Sequence, residues 1–217
     1  MTAMVASVSA SAPIQFTGIT FEQFLKDYDG QHAEWLPDGS VELVVGNNVD
    51  HNALLGLLHT LLSDYLERTD MGRVILAGYV MKSSSTGAGR EPDLLVIFKP
   101  HLDRIRQTYL DGVADIAVEI VSPESVERDY GTKFGEYETV GVPEYWLFDP
   151  ERDAALIYAL HDTEHGRRYK LRPLDTHGRL TSGLLPGFAL DPAILWAEPL
   201  PGFSAIGRLV DAMTANN

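Results

Sequence analysis

Apolar positions recur at helical spacing in several stretches, with short strand-like runs between them. Phe21, Phe24, Leu25 and Tyr28 follow Thr20-Phe21-Glu22-Gln23, in which the threonine and glutamine side chains can cap each other's backbone; Gly30 supplies a stop. The spacing predicts a helix over 21–29. A turn at Pro37-Asp38-Gly39 then leads into a strand over 41–45. Leu54, Leu55, Leu57, Leu58, Leu61, Leu62, Tyr65 and Leu66 make a stripe too wide for a surface helix, so a helix over about 52–68, capped by Asp50, should pack centrally. The run 73–80 reads as a strand, and the Ser- and Gly-rich run 83–89 as a flexible loop.

Two apolar runs follow, each carrying a carboxylate. Asp93 opens the run 93–98. In 115–121, Ile116, Val118 and Ile120 alternate with Ala117, Glu119 and Val121, and both faces are apolar except at Glu119. That is the pattern of a central strand covered on both sides. A helix over about 126–140 carries Tyr130, Phe134 and Tyr137 on one stripe, with Lys133 beside them. The run 144–148 is a further strand, and 155–160 with 167–173 forms a hairpin joined by 161–166. Residues 180–199 mix turns with Leu184, Leu185, Phe188 and Leu190; Ile206, Leu209, Val210 and Met213 allow a short last helix. The layout is a disordered tail over 1–15, one domain over 16–200 and a C-terminal tail over 201–217. Strands with an interposed helix predict an α/β layered domain.

With 217 residues, 45% hydrophobic, the chain can fill one core. The absence of cysteine excludes disulfides, thiolate ligands and a cysteine nucleophile, and suits a reducing, cytoplasmic setting. No apolar run is long enough to span a bilayer, and the opening residues lack the basic and apolar regions of a signal peptide. The net charge of −14, from 17 basic and 31 acidic residues, disfavours nucleic-acid binding through bulk electrostatics. A local basic rim stays open: Arg104, Arg106, Arg128 and Lys133 lie in the central stretch. Arg167, Arg168, Lys170 and Arg172 read as a solvated hairpin face.

The placement of charge carries the chemistry. An unpaired carboxylate inside a strand costs on the order of several kcal/mol, so Glu119 should be paired, protonated or metal-bound. Asp93 and Glu119 on adjacent strands would make a hard oxygen site suited to Mg²⁺ or Mn²⁺. Lys133 beside it could steer an attacking water and offset developing charge. Plainer readings stand against each. Asp93 could simply begin a strand, Glu119 could sit in a buried ion pair, and Asp129 with Lys133 could be an ordinary i, i+4 helical pair. Glu34 could be a solvated loop acid, and His51 a polar residue at a helix start. His161-Asp162-Thr163-Glu164-His165 reads as a polar hairpin tip rather than a zinc site, and Ser122 to Ser125 has no base in reach for a serine nucleophile.

The ordered set Pro92-Asp93, Glu119 with Ser122-Pro123, Asp129, Lys133, Tyr137 and Gly141-Val142-Pro143-Glu144-Tyr145-Trp146 resembles the Uma-type family, grouped with restriction endonucleases in the PD-(D/E)xK nuclease superfamily. Upstream Glu34 and His51, and downstream Leu185-Pro186-Gly187-Phe188 and Leu195-Trp196, extend the similarity over roughly residues 20–197. The resemblance implies a restriction-endonuclease-like mixed β-sheet flanked by helices, with additional hairpins. It implies that Asp93 and Glu119 hold a divalent ion (Mg²⁺ or Mn²⁺), with Glu34 as a further acidic ligand and Lys133 and His51 at the catalytic site. Two departures stand out. The lysine that often follows the glutamate by two positions is replaced by Val121, its place taken by Lys133, and the interval from Glu34 to Gly39 is one residue longer than usual. The expected function is DNA phosphodiester hydrolysis by metal-activated water in a homodimer. The rivals are a catalytically idle nuclease-fold binding or assembly module and a metal-free hydrolase using Glu34 and Glu119 as acid and base.

Overall fold

The computed structural model describes residues 18–43, 48–83 and 87–215; the expected tail over 1–15, residues 44 and 45 of the strand expected over 41–45 and the centre of the 83–89 loop lie outside them. Helix α1, Phe21–Asp27, has the capping box in place: Thr20 Oγ1 accepts from Gln23 N, and the Gln23 side chain accepts from Thr20 N. Strands β1 (Ala33–Trp35) and β2 (Val41–Leu43) form a hairpin around the Asp38-Gly39 turn. Helix α2, Val49–Thr69, is capped by Asn48 rather than Asp50, because the Asn48 side chain accepts from His51 N at 2.8 Å. Asp50 instead sits in the first turn, where a carboxylate complements the helix dipole.

The run 73–80, expected as one strand, divides between two sheets. Strand β3, Gly72–Leu76, pairs with β6 (Leu94–Phe98), while β4 (Val80–Lys82) pairs with β5 (Gly89–Arg90) and β7 (Tyr109–Asp111). The close approach of β3 to β6 requires glycine at 72, since a Cβ there would lie 2.2 Å from the Ile97 carbonyl oxygen. Strands β8 (Ile116–Ile120), β9 (Glu144–Asp149), β10 (Ala154–Thr163) and β11 (Gly166–Leu171) complete a six-stranded sheet ordered β11-β10-β9-β8-β6-β3. Only the β8–β9 pairing in it is parallel. A five-stranded sheet ordered β2-β1-β5-β4-β7 and a two-stranded one, β12 (Leu180–Thr181) with β13 (Ala189–Leu190), lie beside it. The architecture is mixed α/β.

The large sheet is covered on both faces, as the double apolar pattern of 115–121 requires. Leu94, Val96, Ile116, Val118, Ile120, Trp146 and Phe148 pack with the leucine stripe of α2. Helix α4, Phe203–Thr214, joins that layer through Ile206, Val210 and Met213, so the segment expected as a tail with a short helix is part of the main core. Leu95, Ile97, Ala117, Val121, Tyr145 and Leu147 face the other way, toward helix α3, Lys133–Val140. Gly141, at φ +90°, ends α3 in the left-handed conformation that L side chains avoid. The expected helix over 126–140 is not uniform: Arg128–Thr132 forms a π turn in which Lys133 N donates to Arg128 O, and the α-helix starts only at Lys133.

Leu61, fully buried in the main core, is expected to cost about 2–5 kcal/mol of stability on change to Ala. Leu171, 53% exposed, should cost less than about 0.5 kcal/mol on the same change. Urea unfolding of the two variants checks the difference.

Candidate functional site

The sheet pairing brings the two strand carboxylates together. Leu94 lies opposite Val118 in the antiparallel β6–β8 ladder, so Asp93, one residue earlier, lies opposite Glu119, one residue later. Asp93 Oδ2 accepts from Ile120 N at 2.7 Å, which ties the aspartate to the strand carrying Glu119. Alternation with Ala117 and Val121 turns Glu119 toward α3. Lys133, at the first position of α3, donates to Glu119 Oε1 at 2.8 Å, and Tyr137, one turn on, donates from Oη to the same oxygen at 2.8 Å.

The second sheet supplies Glu34. Trp35 opposite Gly89 in the β1–β5 pairing places Glu34 opposite Arg90. Glu34 Oε1 lies 2.9 Å from Lys133 Nζ, and Glu34 Oε2 accepts from Arg90 Nη1 at 2.6 Å. Arg90 also donates from Nε and Nη2 to the two oxygens of Glu136 on α3, at 2.6 and 2.8 Å. The chain then crosses from β5 through Glu91-Pro92 to Asp93, so Arg90 and Asp93 stand at the junction of the two sheets.

Burial magnifies these charges. Burial works upward on Glu34, but Lys133, Arg90 and Arg128 outweigh it and bring the carboxyl down to about 2. On Glu119 burial wins: Lys133 opposes it, Asp129, Asp93 and Glu34 reinforce it, and the carboxyl is pushed up to about 8. Burial works downward on Lys133, yet Glu119, Glu34 and Asp129 hold it above the usual lysine range, so it is an ammonium. One ammonium is thus shared by acids it cannot all balance. Asp129 adds to the excess; burial raises its carboxyl, and its buried Oδ1 accepts no hydrogen bond although Arg128 Nε and Lys133 Nζ stand 3.5 and 3.9 Å away.

That excess of buried oxygen anions is the test of whether a divalent ion fits, and the residues pass it in a limited form. Asp93 and Glu119 are hard oxygen donors, and a dication there would relieve the repulsion on Glu119. No group of three or more His, Cys, Asp or Glu among the described residues is arranged to hold a metal. The donors present fit a hard divalent ion held by two carboxylates.

Of the residues expected from the sequence, Asp93, Glu119, Lys133 and Glu34 converge. His51 joins them from the first turn of α2, its Nε2 3.3 Å from Asp93 Oδ1 and its buried Nδ1 without a hydrogen-bond partner. It also lines a cleft of about 340 Å³ together with Leu54, Val121, Glu151, Leu195 and Trp196. Glu34 differs from its expected role in surroundings, since both its oxygens face cations. The expected basic rim divides. Arg128 and Lys133 belong to the site, while Arg104 donates to Val113 O and Arg106 to Asp111. The His161 to His165 run lies on the exposed β10–β11 hairpin, and Ser125 Oγ caps Ser122 N. Sequence reading missed Arg90. It follows a glycine-rich loop, and only the pairing of β5 with β1 reveals that it meets Glu34.

A solved structure from Anabaena variabilis ATCC 29413, described as "a putative nuclease belonging to DUF820", shares the fold: TM-score 0.65, 16% identity, 82% of this chain and 98% of that one covered. No curated protein matches. The Uma2 family, described as "Putative restriction endonuclease", matches residues 20–193, the span that holds Glu34, His51, Arg90, Asp93, Glu119 and Lys133. The chain belongs to that family.

Proposed function

We propose that the protein is a divalent-metal-dependent endonuclease that hydrolyses DNA phosphodiester bonds with metal-activated water. The observation that supports this reading most directly is the meeting of Asp93, Glu119 and Lys133 in a buried cluster with more negative charge than its cations balance. The descriptions of the family and of the Anabaena protein support the same class.

Asp93 and Glu119 would hold Mg²⁺ or Mn²⁺. When bound, the ion polarises a phosphoryl oxygen and lowers the pKa of a water. The other roles belong to the chain. Ile120 N–H and Tyr137 Oη–H fix the two carboxylates in orientation. The Lys133 ammonium, kept charged by its acids, offsets charge developing on the phosphate oxygens and orients the attacking water. His51 orients Asp93 from the side of the cleft. Glu34, with its oxygens on Lys133 and Arg90, anchors the ammonium rather than serving as a third ligand. Cutting both strands calls for two sites, hence a homodimer; a chain without cysteine suits the reducing cytoplasm.

One observation favours the rival of an idle binding module. At a net charge of −14, with Arg90 buried on its acids, Arg104 bonded to Val113 O and Arg106 paired with Asp111, the charge balance opposes a grip on a duplex. Calorimetric titration with Mn²⁺ separates the two. A site that needs both Asp93 and Glu119 supports the enzyme, and silence supports the module.

Plasmid cleavage in Mg²⁺ or Mn²⁺ should vanish in Asp93→Ala and Glu119→Ala, and fall by about 10²–10³-fold in Lys133→Ala. Cleavage by the purified double carboxylate variant would refute the assignment, and turnover that survives EDTA would favour Glu34 and Glu119 as metal-free acid and base. A second outcome follows from the charge excess. In EDTA near neutral pH, Glu119→Gln should melt no lower than wild type, because burial among acids already pushes that carboxyl up to about 8, so a neutral side chain costs little, and Lys133 keeps its bond to Glu34. Mn²⁺ at a hundredfold excess over its Kd should stabilise wild type by about 2.7 kcal/mol and leave Glu119→Gln unmoved, as read by thermal melting.

A further inference from the structure

We infer that Arg90 is a positioning residue for the site, setting the Lys133 ammonium through Glu34 and Glu136; this rests on the nuclease reading above. Lysine is a flexible stem with a point charge and, unaided, does not hold its ammonium at one point in space. Here the backbone is regular helix (Lys133 φ −63°, ψ −39°), so it fixes where the stem starts but not where its far end lies. The ammonium is fixed by Glu119 on one side and Glu34 on the other, at 2.8 and 2.9 Å. Glu34 comes from a three-residue strand of the smaller sheet, and its second oxygen is taken by Arg90 at 2.6 Å.

Arg90 does what no lysine could do in its place. Its planar fork donates through Nε and Nη2 to both oxygens of Glu136, and through Nη1 to Glu34, so one rigid group ties α3 to β1. Glu136 lies three residues after Lys133, on the same helix. The distance between the helix that carries the ammonium and the strand that carries its anchor is therefore set by a guanidinium. Arg90 is itself 4% exposed and Glu34 is fully buried, so solvent does not replace the bond between them, while Glu136 is partly exposed.

Loss of Arg90 should displace the ammonium without removing it. In full-length protein on plasmid DNA with Mn²⁺, Arg90→Lys and Glu136→Gln should lower kcat by about tenfold or more, within the range that small misplacements cost, with KM little changed. In a Lys133→Met background the same changes should lower kcat no further, because Arg90 acts through the lysine. A loss that multiplies in that background, or an unchanged kcat, would overturn the inference. An independent readout needs no turnover. In ¹⁵N-lysine-labelled protein, the ammonium signal that disappears in Lys133→Met should be sharp in wild type and broadened in Arg90→Lys and Glu136→Gln. If that signal stays sharp in both variants, Arg90 does not position Lys133. If it broadens while wild type cleaves nothing, the positioning stands and the nuclease reading falls.

Discussion

The Lys133 ammonium is the point on which the site depends. It leaves α3, meets Glu119 on the large sheet and Glu34 on the small one, and is enclosed by all three elements. A charged amine taken wholly out of water is tolerable only where its donors are met and its charge is opposed. Glu34 and Glu119 supply both. In return the amine holds two sheets and a helix in register around a cluster that would otherwise repel itself. Removing either acid leaves the lysine a partner, whereas removing the lysine leaves two acids facing one another.

A buried carboxylate is not by itself a sign of chemistry, and this protein contains the comparison that proves it. Glu144 begins β9 fully buried, yet its oxygens accept from Trp146 Nε1, Ser182 Oγ and Gly183 N. Asp115 accepts from Phe98 N and stands 2.8 Å from His101 Nδ1. Those acids pin loops and strand ends with donors that are neutral or partly exposed. Glu119 instead draws on a shared ammonium and a phenol, both aimed at a single oxygen, and lies among other acids. The difference lies in what the surrounding groups leave uncompensated.

Much of this was legible in the chain because it follows from local periodicity. The capped first helix, the leucine-rich central helix and the two-faced strand around Glu119 each declare themselves through side-chain spacing. So did the candidate acids, since Asp93 and Glu119 are the carboxylates that the apolar runs 93–98 and 116–121 carry. Features that depend on chain crossing were not legible. The run 73–80 is apolar from Val74 to Ala77, and Gly78, at φ +88°, marks a break, but nothing local says that the strands on its two sides join different sheets. Arg90 is invisible for the same reason: its partners lie 56 and 46 positions away. The last helix was underestimated because its apolar stripe gains meaning only from the α2 face it covers.

The departure from the usual lysine position follows from the same geometry. Val121, two residues after Glu119, faces the α3 side of the sheet and packs in its core, so a lysine there would rise from the strand itself. Lys133 reaches Glu119 from the opposing helix instead, and Tyr137 one turn later meets the same oxygen. The ammonium stands near two carboxylates either way; only the backbone that delivers it differs. Whichever element carries it, a lysine's long flexible stem needs outside bracing to keep the ammonium at one point. The Glu34, Arg90 and Glu136 bridge supplies that bracing, and the smaller sheet carries the first two of them.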